Sequence, residues 1–220
     1  MEEKHECTII IPTYFSNSML HNCLKSIFEQ VTSPKIYVYK NDIGWLEACN
    51  EVIRNTKDDV ILLNDDTYVL TDIVREMSQL AYSDPKIGIV GGKALSPNQD
   101  TIINYGIYIA TDGNTAHKHF GQKRNSVKVE NQKAVEGSCM FIKRSVIDEI
   151  GAFDPTFTMG YRAEVDYAFR ARLAGYKCVS SPKAEYVHFT SQTSGPLGIT
   201  NDTHQVFMEK WGTSLKLGKV

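Results

Sequence analysis

Short apolar runs and amphipathic stretches alternate along the first ninety residues. Residues 7–11 form a β-branched run that stops at Pro12, the pattern of a strand buried on both faces. Leu20, Cys23, Leu24, Ile27 and Phe28 then fall at i, i+3, i+4, i+7 and i+8, and Ser16, Asn17 or Ser18 can cap them, so the spacing predicts a helix. Residues 35–39 predict a second strand. Gly44 opens a helix with Trp45, Cys49, Val52 and Ile53 on one face, and Val60, Ile61, Leu62 and Leu63 predict a third strand. Thr71 caps a helix carrying Ile73, Val74, Met77, Leu80 and Ala81 that must stop before Asp84-Pro85, and residues 87–90 predict a fourth strand. Such alternation predicts right-handed βαβ units, hence an α/β fold with a mostly parallel sheet.

The second half is less regular. Residues 102–110 are strand-like, 111–133 are polar and predict a long loop or hairpin, and 134–142 return to strand character. A short helix over 145–150 ends at Gly151, another spans about 164–174 and closes at Gly175, a late strand covers 186–189, and a helix surrounds 205–211. No repeat, low-complexity tract or linker interrupts the chain, so one domain over 1–220 is expected.

Composition changes this picture only by exclusion. With 220 residues, 42% apolar and 23% charged, the chain has the make-up of a globular protein with a substantial core. A net charge of -2 argues against nucleic acid as a partner. The charged start, Met1-Glu2-Glu3-Lys4-His5-Glu6, and the short apolar run after it form neither a signal peptide nor a transmembrane segment. Cys7, Cys23, Cys49, Cys139 and Cys178 are scattered, which disfavours a zinc site or disulfide framework. They read as small core residues of a protein from a reducing, cytoplasmic compartment, soluble or peripheral to a membrane.

Chemistry concentrates where the third strand runs into Asn64-Asp65-Asp66-Thr67. Ligands of open α/β sheets bind beyond the carboxyl ends of the strands. Two adjacent carboxylates there repel each other, and a divalent ion that favours hard oxygen ligands, Mg²⁺ or Mn²⁺, relieves them. The same four residues are equally good turn chemistry, and this segment alone does not separate the two readings. Missing motifs narrow the field. The first strand exits into Pro12-Thr13-Tyr14-Phe15 instead of Gly-x-Gly-x-x-Gly, Gly91-Gly92-Lys93 lacks the P-loop spacing, and no Gly-x-Ser-x-Gly elbow is present. What remains is a sheet that holds a nucleotide without a glycine-rich cradle, and such a sheet neutralises diphosphate with a metal ion. Weight returns to Asp65 and Asp66.

With those residues in view, the chain resembles the GT-A-fold, family 2 inverting glycosyltransferases. The resemblance is carried by Thr8-Ile9-Ile10-Ile11-Pro12-Thr13-Tyr14, by Asn64-Asp65-Asp66-Thr67, and by the block from Glu136-Gly137-Ser138 through His188. Within that block the family's "iGgFDe" appears as Ile150-Gly151-Ala152-Phe153-Asp154-Pro155. Its "EDvDl..R....Gy" appears as Ala163-Glu164-Val165-Asp166-Tyr167 with Arg170 and Gly175-Tyr176, and its "H..g.S" as His188-Phe189-Thr190-Ser191-Gln192-Thr193-Ser194. Lys210-Trp211-Gly212 matches a common tail. The likeness covers nearly the whole chain, leans toward rhamnosyl- and galactofuranosyl-transferases, and extends to an excised domain of a multidomain viral glycosyltransferase. It implies a single GT-A domain, with a nucleotide-sugar-binding half over about 1–95 and a smaller acceptor and catalytic half over about 96–220. It also implies a nucleoside-diphosphate sugar donor, a UDP-sugar first among them, a glycan or glycoprotein acceptor, and Mn²⁺ or Mg²⁺.

The resemblance also implies roles. Asp66 binds the metal, and Asp65 contacts metal or donor ribose. His188 completes the metal sphere, its imidazole suiting Mn²⁺ better than Mg²⁺; a hydrogen-bonded core histidine and a diphosphate contact are its other readings. Glu164 stands where the family carries its base, usually Asp, and the extra methylene displaces the acceptor by about a bond length. Asp166, two residues on, points elsewhere and is a second candidate or a brace. Both acids also suit a helix N-terminus. Pro12, Thr13 and Tyr14 leave the first strand where the family binds the nucleoside. The "DngS.D" stretch that reads the base is absent, as Tyr39-Lys40-Asn41-Asp42-Ile43-Gly44-Trp45 runs straight into the helix, and Asn41 or Asp42 can substitute. Lys93 can meet a phosphate or donor sugar, or be solvated. Gly137 and Ser138 sit near the acceptor side. The basic loop over 117–124, with Lys118, His119, Lys123 and Arg124, is a donor-ordered lid or a solvated loop. Two rivals stand beside a transferase: a nucleotidyltransferase, which needs a glycine-rich basic N-terminal loop, and a degenerate transferase that only binds a nucleotide sugar.

Overall fold

Strands that are apolar at every position need cover on both faces. In the computed structural model, which describes residues 6–13, 18–40, 44–157, 162–189 and 203–220, β1 (Cys7–Thr13) and β3 (Asp59–Leu63) are buried along their full lengths. Alternate side chains serve opposite layers. Ile9, Ile11, Ile61 and Leu63 pack with α1 (Ser18–Gln30) and α3 (Ile73–Tyr82). Ile10, Val60 and Leu62 pack on the other side with α2 (Trp45–Asn55), α4 (Arg144–Ile150), α5 (Ala163–Leu173) and α6 (His204–Lys216). The five cysteines are buried and unbridged, as their scatter predicts.

β2 (Lys35–Lys40) forms one edge of the sheet, parallel to β1, which is parallel to β3. β10 (Cys139–Ile142) inserts antiparallel between β3 and β5 (Ile87–Leu95). β11 (Lys177–His188) runs parallel to β5, and β4 (Thr67–Val69) ends the order antiparallel to β11. The long strands β1, β2, β3, β5 and β11 therefore all point the same way, the mostly parallel α/β sheet that the alternation predicts.

Local chemistry accounts for the departures. Asp72, not Thr71, caps α3 by accepting from Arg75 N at 3.0 Å, while Thr71 donates to the Lys183 carbonyl. Phe28 ends the predicted apolar stripe of α1 but is 66% exposed. The strand-like stretch 102–110 breaks into β6 (Ile102–Asn104) and β7 (Ile107–Ile109) at Gly106, whose φ of 123° admits no ordinary side chain. The polar stretch after it folds β8 (Thr115–His117) back on β7 as a hairpin and adds β9 (Glu130–Gln132) to β11. β11 begins nine residues before the predicted late strand, because Ser180, Ser181 and Pro182 hide its apolar pattern and an irregularity separates Ser180 from Glu185.

One buried polar side chain ties the helical layer to the segment before α5. Asn50 on α2 accepts from Phe153 N at 2.8 Å and donates to the Phe153 carbonyl at 3.0 Å. Asn50→Ala leaves both backbone groups without partners, so chemical denaturation is expected to show a loss of about 2–5 kcal/mol; a loss under about 0.5 kcal/mol would show that the segment finds other partners.

Candidate active site

The carboxyl ends of β1 and β3 meet at the rim of the sheet. Thr13 closes β1 and donates from Oγ1 to Asp65 Oδ2 at 2.6 Å, joining two residues expected to bind the donor. Burial pushes the Asp65 carboxyl up, with the neighbouring Asp66 adding to it and the Thr13 hydrogen bond opposing it. Asn64 is pinned from three directions. Its N–H donates to the Ser138 carbonyl at 3.0 Å, its Oδ1 accepts from Trp45 Nε1 at 3.2 Å, and its carbonyl accepts from Thr67 Oγ1 at 2.7 Å. The Asn-Asp-Asp-Thr segment is thus both a tight turn and a rigid mount for two acids.

The turn feeds directly into β4, and β4 aligns Thr67 with His188 at the end of β11. Phe189 N also donates to the Asp66 carbonyl at 3.0 Å. Asp66 Oδ1 and His188 Nε2 are thereby 3.2 Å apart. On the ring's other side, Nδ1 lies 3.7 Å from Glu136 Oε1. Burial opposes protonation of His188, but Asp66 and Glu136 outweigh it and lift its pKa. His188 Nδ1 and Glu136 Oε2 are buried without a hydrogen-bond partner among the described residues, and Asp66 Oδ1 meets the imidazole at 3.2 Å without a well-aligned hydrogen bond. Native interiors rarely leave such atoms unpaired unless a ligand completes them.

Glu164 stands in the first turn of α5, after Arg162, which holds a left-handed backbone at φ 63° and ψ 0°. A non-glycine residue in that region stores strain of the kind found at functional sites. Burial pushes the Glu164 carboxyl up to about 7; Glu136 adds to the shift and Arg162 opposes it. Gly137 lets the Trp45 ring pack close, since a Cβ there would lie 3.1 Å from that ring, while Glu164 Cβ would sit at an ordinary contact of 3.8 Å. Ser138, expected near the acceptor, is 2% exposed and bonds Tyr186 OH at 2.7 Å, so it joins β10 to β11.

Other predicted site residues lie elsewhere. Asp166 is wholly buried and engaged by Arg170 Nε at 2.9 Å, Lys210 Nζ at 2.7 Å and Trp211 Nε1 at 2.9 Å. It braces α5 against α6 and points away from Glu164, as two-residue spacing on a helix requires. Lys93 is not a solvated lysine: it is 3% exposed, 2.7 Å from Glu185 Oε1, and donates to the Arg124 carbonyl at 3.0 Å. Arg124 grips the same Glu185, while Lys118 and His119 both contact Glu130, so these side chains of the basic loop are paired within the fold. Pro12 and Thr13 are at the rim, whereas Tyr14, Asn41 and Asp42 lie outside the described residues. Glu136 received no role from sequence, although it opens the Glu136-Gly137-Ser138 block.

No group of three or more His, Cys, Asp or Glu side chains among the described residues is arranged to hold a metal ion. The two-residue set of Asp66 and His188 nevertheless fits one. A carboxylate oxygen and an imidazole nitrogen 3.2 Å apart suit neighbouring positions on a Mn²⁺-type ion, and such ions keep further positions for phosphate and water. The Asp66 oxygen, buried and short of a well-aligned hydrogen bond, is the observation that calls for such a partner.

The family described as "Glycosyltransferase like family 2" matches residues 40–216. An N-acetylglucosaminyl-diphospho-decaprenol L-rhamnosyltransferase of Mycobacterium tuberculosis is 34% identical over 61 residues, 28% of this chain and 20% of the relative, so the chain spans about a fifth of that protein's length. Among solved structures, GalNAc-T7 with UDP, GalNAc and Mn²⁺ superposes with a TM-score of 0.68 at 11% identity, over 86% of this chain and 44% of the other. The mannosyltransferase PcManGT from Pyrobaculum calidifontis, in complex with GDP-Man and Mn²⁺, gives 0.59 at 15% identity, over 87% and 59%. At these identities the likeness speaks for the fold, which is that of the GT-A glycosyltransferases.

The position of Asp166 has a measurable consequence. Asp166→Ala strips three donors of their acceptor and is expected to cost about 3–5 kcal/mol in urea denaturation. A variant of unchanged stability would refute the bracing role.

Proposed function

The chain belongs to the glycosyltransferase-like family 2, and on that premise we propose that it moves a sugar from a nucleoside-diphosphate sugar to an acceptor hydroxyl with inversion at the anomeric carbon. The observation that carries this reading is the pairing of Asp66 Oδ1 with His188 Nε2 at 3.2 Å at the sheet rim, together with a half-buried Glu164 whose pKa is raised to about 7.

The donor lies across the ends of β1 and β3, with Thr13 and Asp65 toward the nucleoside. Asp66 Oδ1 and His188 Nε2 would hold Mn²⁺ or Mg²⁺. Bound there, a divalent ion supplies charge neutralisation for the departing diphosphate. Glu164 accepts the acceptor hydroxyl's proton as that oxygen bonds to the anomeric carbon and the carbon–oxygen bond to the diphosphate breaks. One base suffices, because the attack and departure are in line and on opposite faces.

A UDP-sugar is the proposed donor and a glycan or glycoprotein the proposed acceptor. The two structural relatives hold different nucleotides, UDP in one and GDP in the other, so the base is the point to test first. No helix among the described residues is long and apolar enough to cross a membrane. The unbridged, buried cysteines support a reducing, cytoplasmic setting.

Incubation with UDP-, GDP- and dTDP-sugars and Mn²⁺ is expected to give hydrolysis or transfer with one of them. Asp66→Ala abolishes that turnover while keeping the wild-type circular dichroism; a fully active Asp66→Ala protein would sink the reading. Nucleotide-sugar formation from NTP and sugar phosphate would instead identify a nucleotidyltransferase, and donor binding without turnover a binding protein.

The raised pKa of Glu164 fixes a pH profile. The base works only when ionised, so kcat/KM rises with pH and levels off above about 7. For stability the sign is opposite. The folded state holds this proton more tightly than the unfolded chain, so stability is lost as pH rises from the ordinary carboxylate range through about 7. Glu164→Gln is therefore expected to lower kcat by about 10²–10⁴ and to raise the melting temperature relative to wild type at pH 8 but not at pH 4. A variant that keeps its kcat would remove Glu164 from the mechanism.

A further inference from the structure

Glu136 is the one acid of the rim to which nothing so far gives a task. Its Oε1 lies 3.7 Å from His188 Nδ1, and neither that nitrogen nor Glu136 Oε2 has a hydrogen-bond partner among the described residues, although both are buried. Leaving a buried carboxylate oxygen and a buried ring nitrogen both unpaired is costly. A proton on Nδ1, shared with the nearer Glu136 oxygen, Oε1, would relieve the nitrogen.

The geometry of imidazole decides what Glu136 can be. The two ring nitrogens present their lone pairs or protons in diverging directions, so one ion cannot take both. Nε2 faces Asp66 and Nδ1 faces Glu136. Glu136 therefore does not share an ion with Asp66 through His188. A neutral imidazole that offers Nε2 to a cation must carry its proton on Nδ1, and an acceptor at Nδ1 selects that tautomer. The separation has to close by about 0.7 Å to become a hydrogen bond.

We propose that Glu136 is a positioning residue that accepts Nδ1–H from His188 and thereby holds the imidazole in the tautomer and orientation that present Nε2 beside Asp66 to a divalent cation. This rests on the metal reading given above. Glu136 reaches its place because it precedes Gly137, whose bare backbone packs against Trp45 and Glu164. Its carboxylate faces the imidazole, and its charge is among those acting on Glu164.

Two readouts test this, neither of which depends on turnover. The first is the tautomer of neutral His188 in the Mg²⁺-loaded protein, read from ¹⁵N-histidine NMR with His188→Gln for assignment. The second is the Kd for Mn²⁺ alone, read by EPR of the free ion. Wild type is expected to hold the Nδ1–H form. Glu136→Ala is expected to move it toward Nε2–H and to weaken Mn²⁺ binding by about 10–100-fold. A folded Glu136→Ala protein in which either readout stays at the wild-type value, the affinity within twofold, overturns the proposal, as does an Nε2–H form in wild type. Should Glu136→Ala fail to fold, Glu136→Gln decides. It keeps an acceptor oxygen and is expected to retain Nδ1–H with a loss of affinity under about fivefold, and the Nε2–H form there overturns the proposal. Wild type that binds no Mn²⁺ overturns the metal reading and this proposal together; Mn²⁺ binding with an unaltered Glu136→Ala protein overturns this proposal alone.

Discussion

The rim is organised by a pairing of only three residues per strand. β4 lies antiparallel to the end of β11, with Thr67 opposite His188, and Phe189 N–H closes onto the Asp66 carbonyl. This brings the acid that ends β3 beside a histidine far along the chain. The turn between β3 and β4 has no freedom to move them apart, because Ser138, Trp45 and Thr67 each hold Asn64. If β4 slipped by one residue, alternation would turn the neighbouring side chains to the opposite face and separate the carboxylate from the imidazole. Two roles, a tight turn and the proposed carboxylate mount for a cation, fall to the same four residues, which explains why sequence supports both readings of them at once.

The second constraint is electrostatic. Asp65, Asp66, Glu136 and Glu164 gather where burial penalises charge, and the region answers each differently. Thr13 steadies Asp65, His188 faces Asp66 and Glu136, and Glu164 shifts toward its neutral form. A concentration of acids that a fold does not fully neutralise is a cost in stability and a readiness for chemistry. By contrast, the acids that the fold does neutralise are structural. Asp166 is enclosed by Arg170, Lys210 and Trp211, and Glu185 by Lys93 and Arg124. Burial works against ionisation of Glu185, yet its two cationic partners hold its pKa below the ordinary range. The difference between a satisfied and an unsatisfied buried carboxylate is what separates brace from candidate site.

Much of this was legible in the sequence, for physical reasons. Val60 to Leu63 is apolar at every position, so a central strand was the only economical reading, and acids after such a strand can only stand at the rim. Glu164 and His188 become candidates only through resemblance, since no spacing rule joins them to Asp66. β4 was not legible, because three residues following Asn-Asp-Asp carry a turn signal and no periodicity. Most of β11 was hidden by Ser180-Ser181-Pro182, whose polarity is met inside the fold by Tyr105 and neighbouring strands. Lys93 looked free because its partner Glu185 lies at the far end of the chain, and Glu136 looked ordinary because its neighbours come from β11 and α5. Long-range pairing, absent from any local window, accounts for each of these misses.

The central claim is that Asp66 and His188 together present a divalent cation to the donor's diphosphate. Anomalous diffraction from a crystal soaked with Mn²⁺ and UDP tests it most directly. The account predicts one strong manganese peak beside Asp66 Oδ1 and His188 Nε2, with UDP bound at the same rim. UDP bound at the rim with no manganese there, or manganese held by other residues, would contradict it.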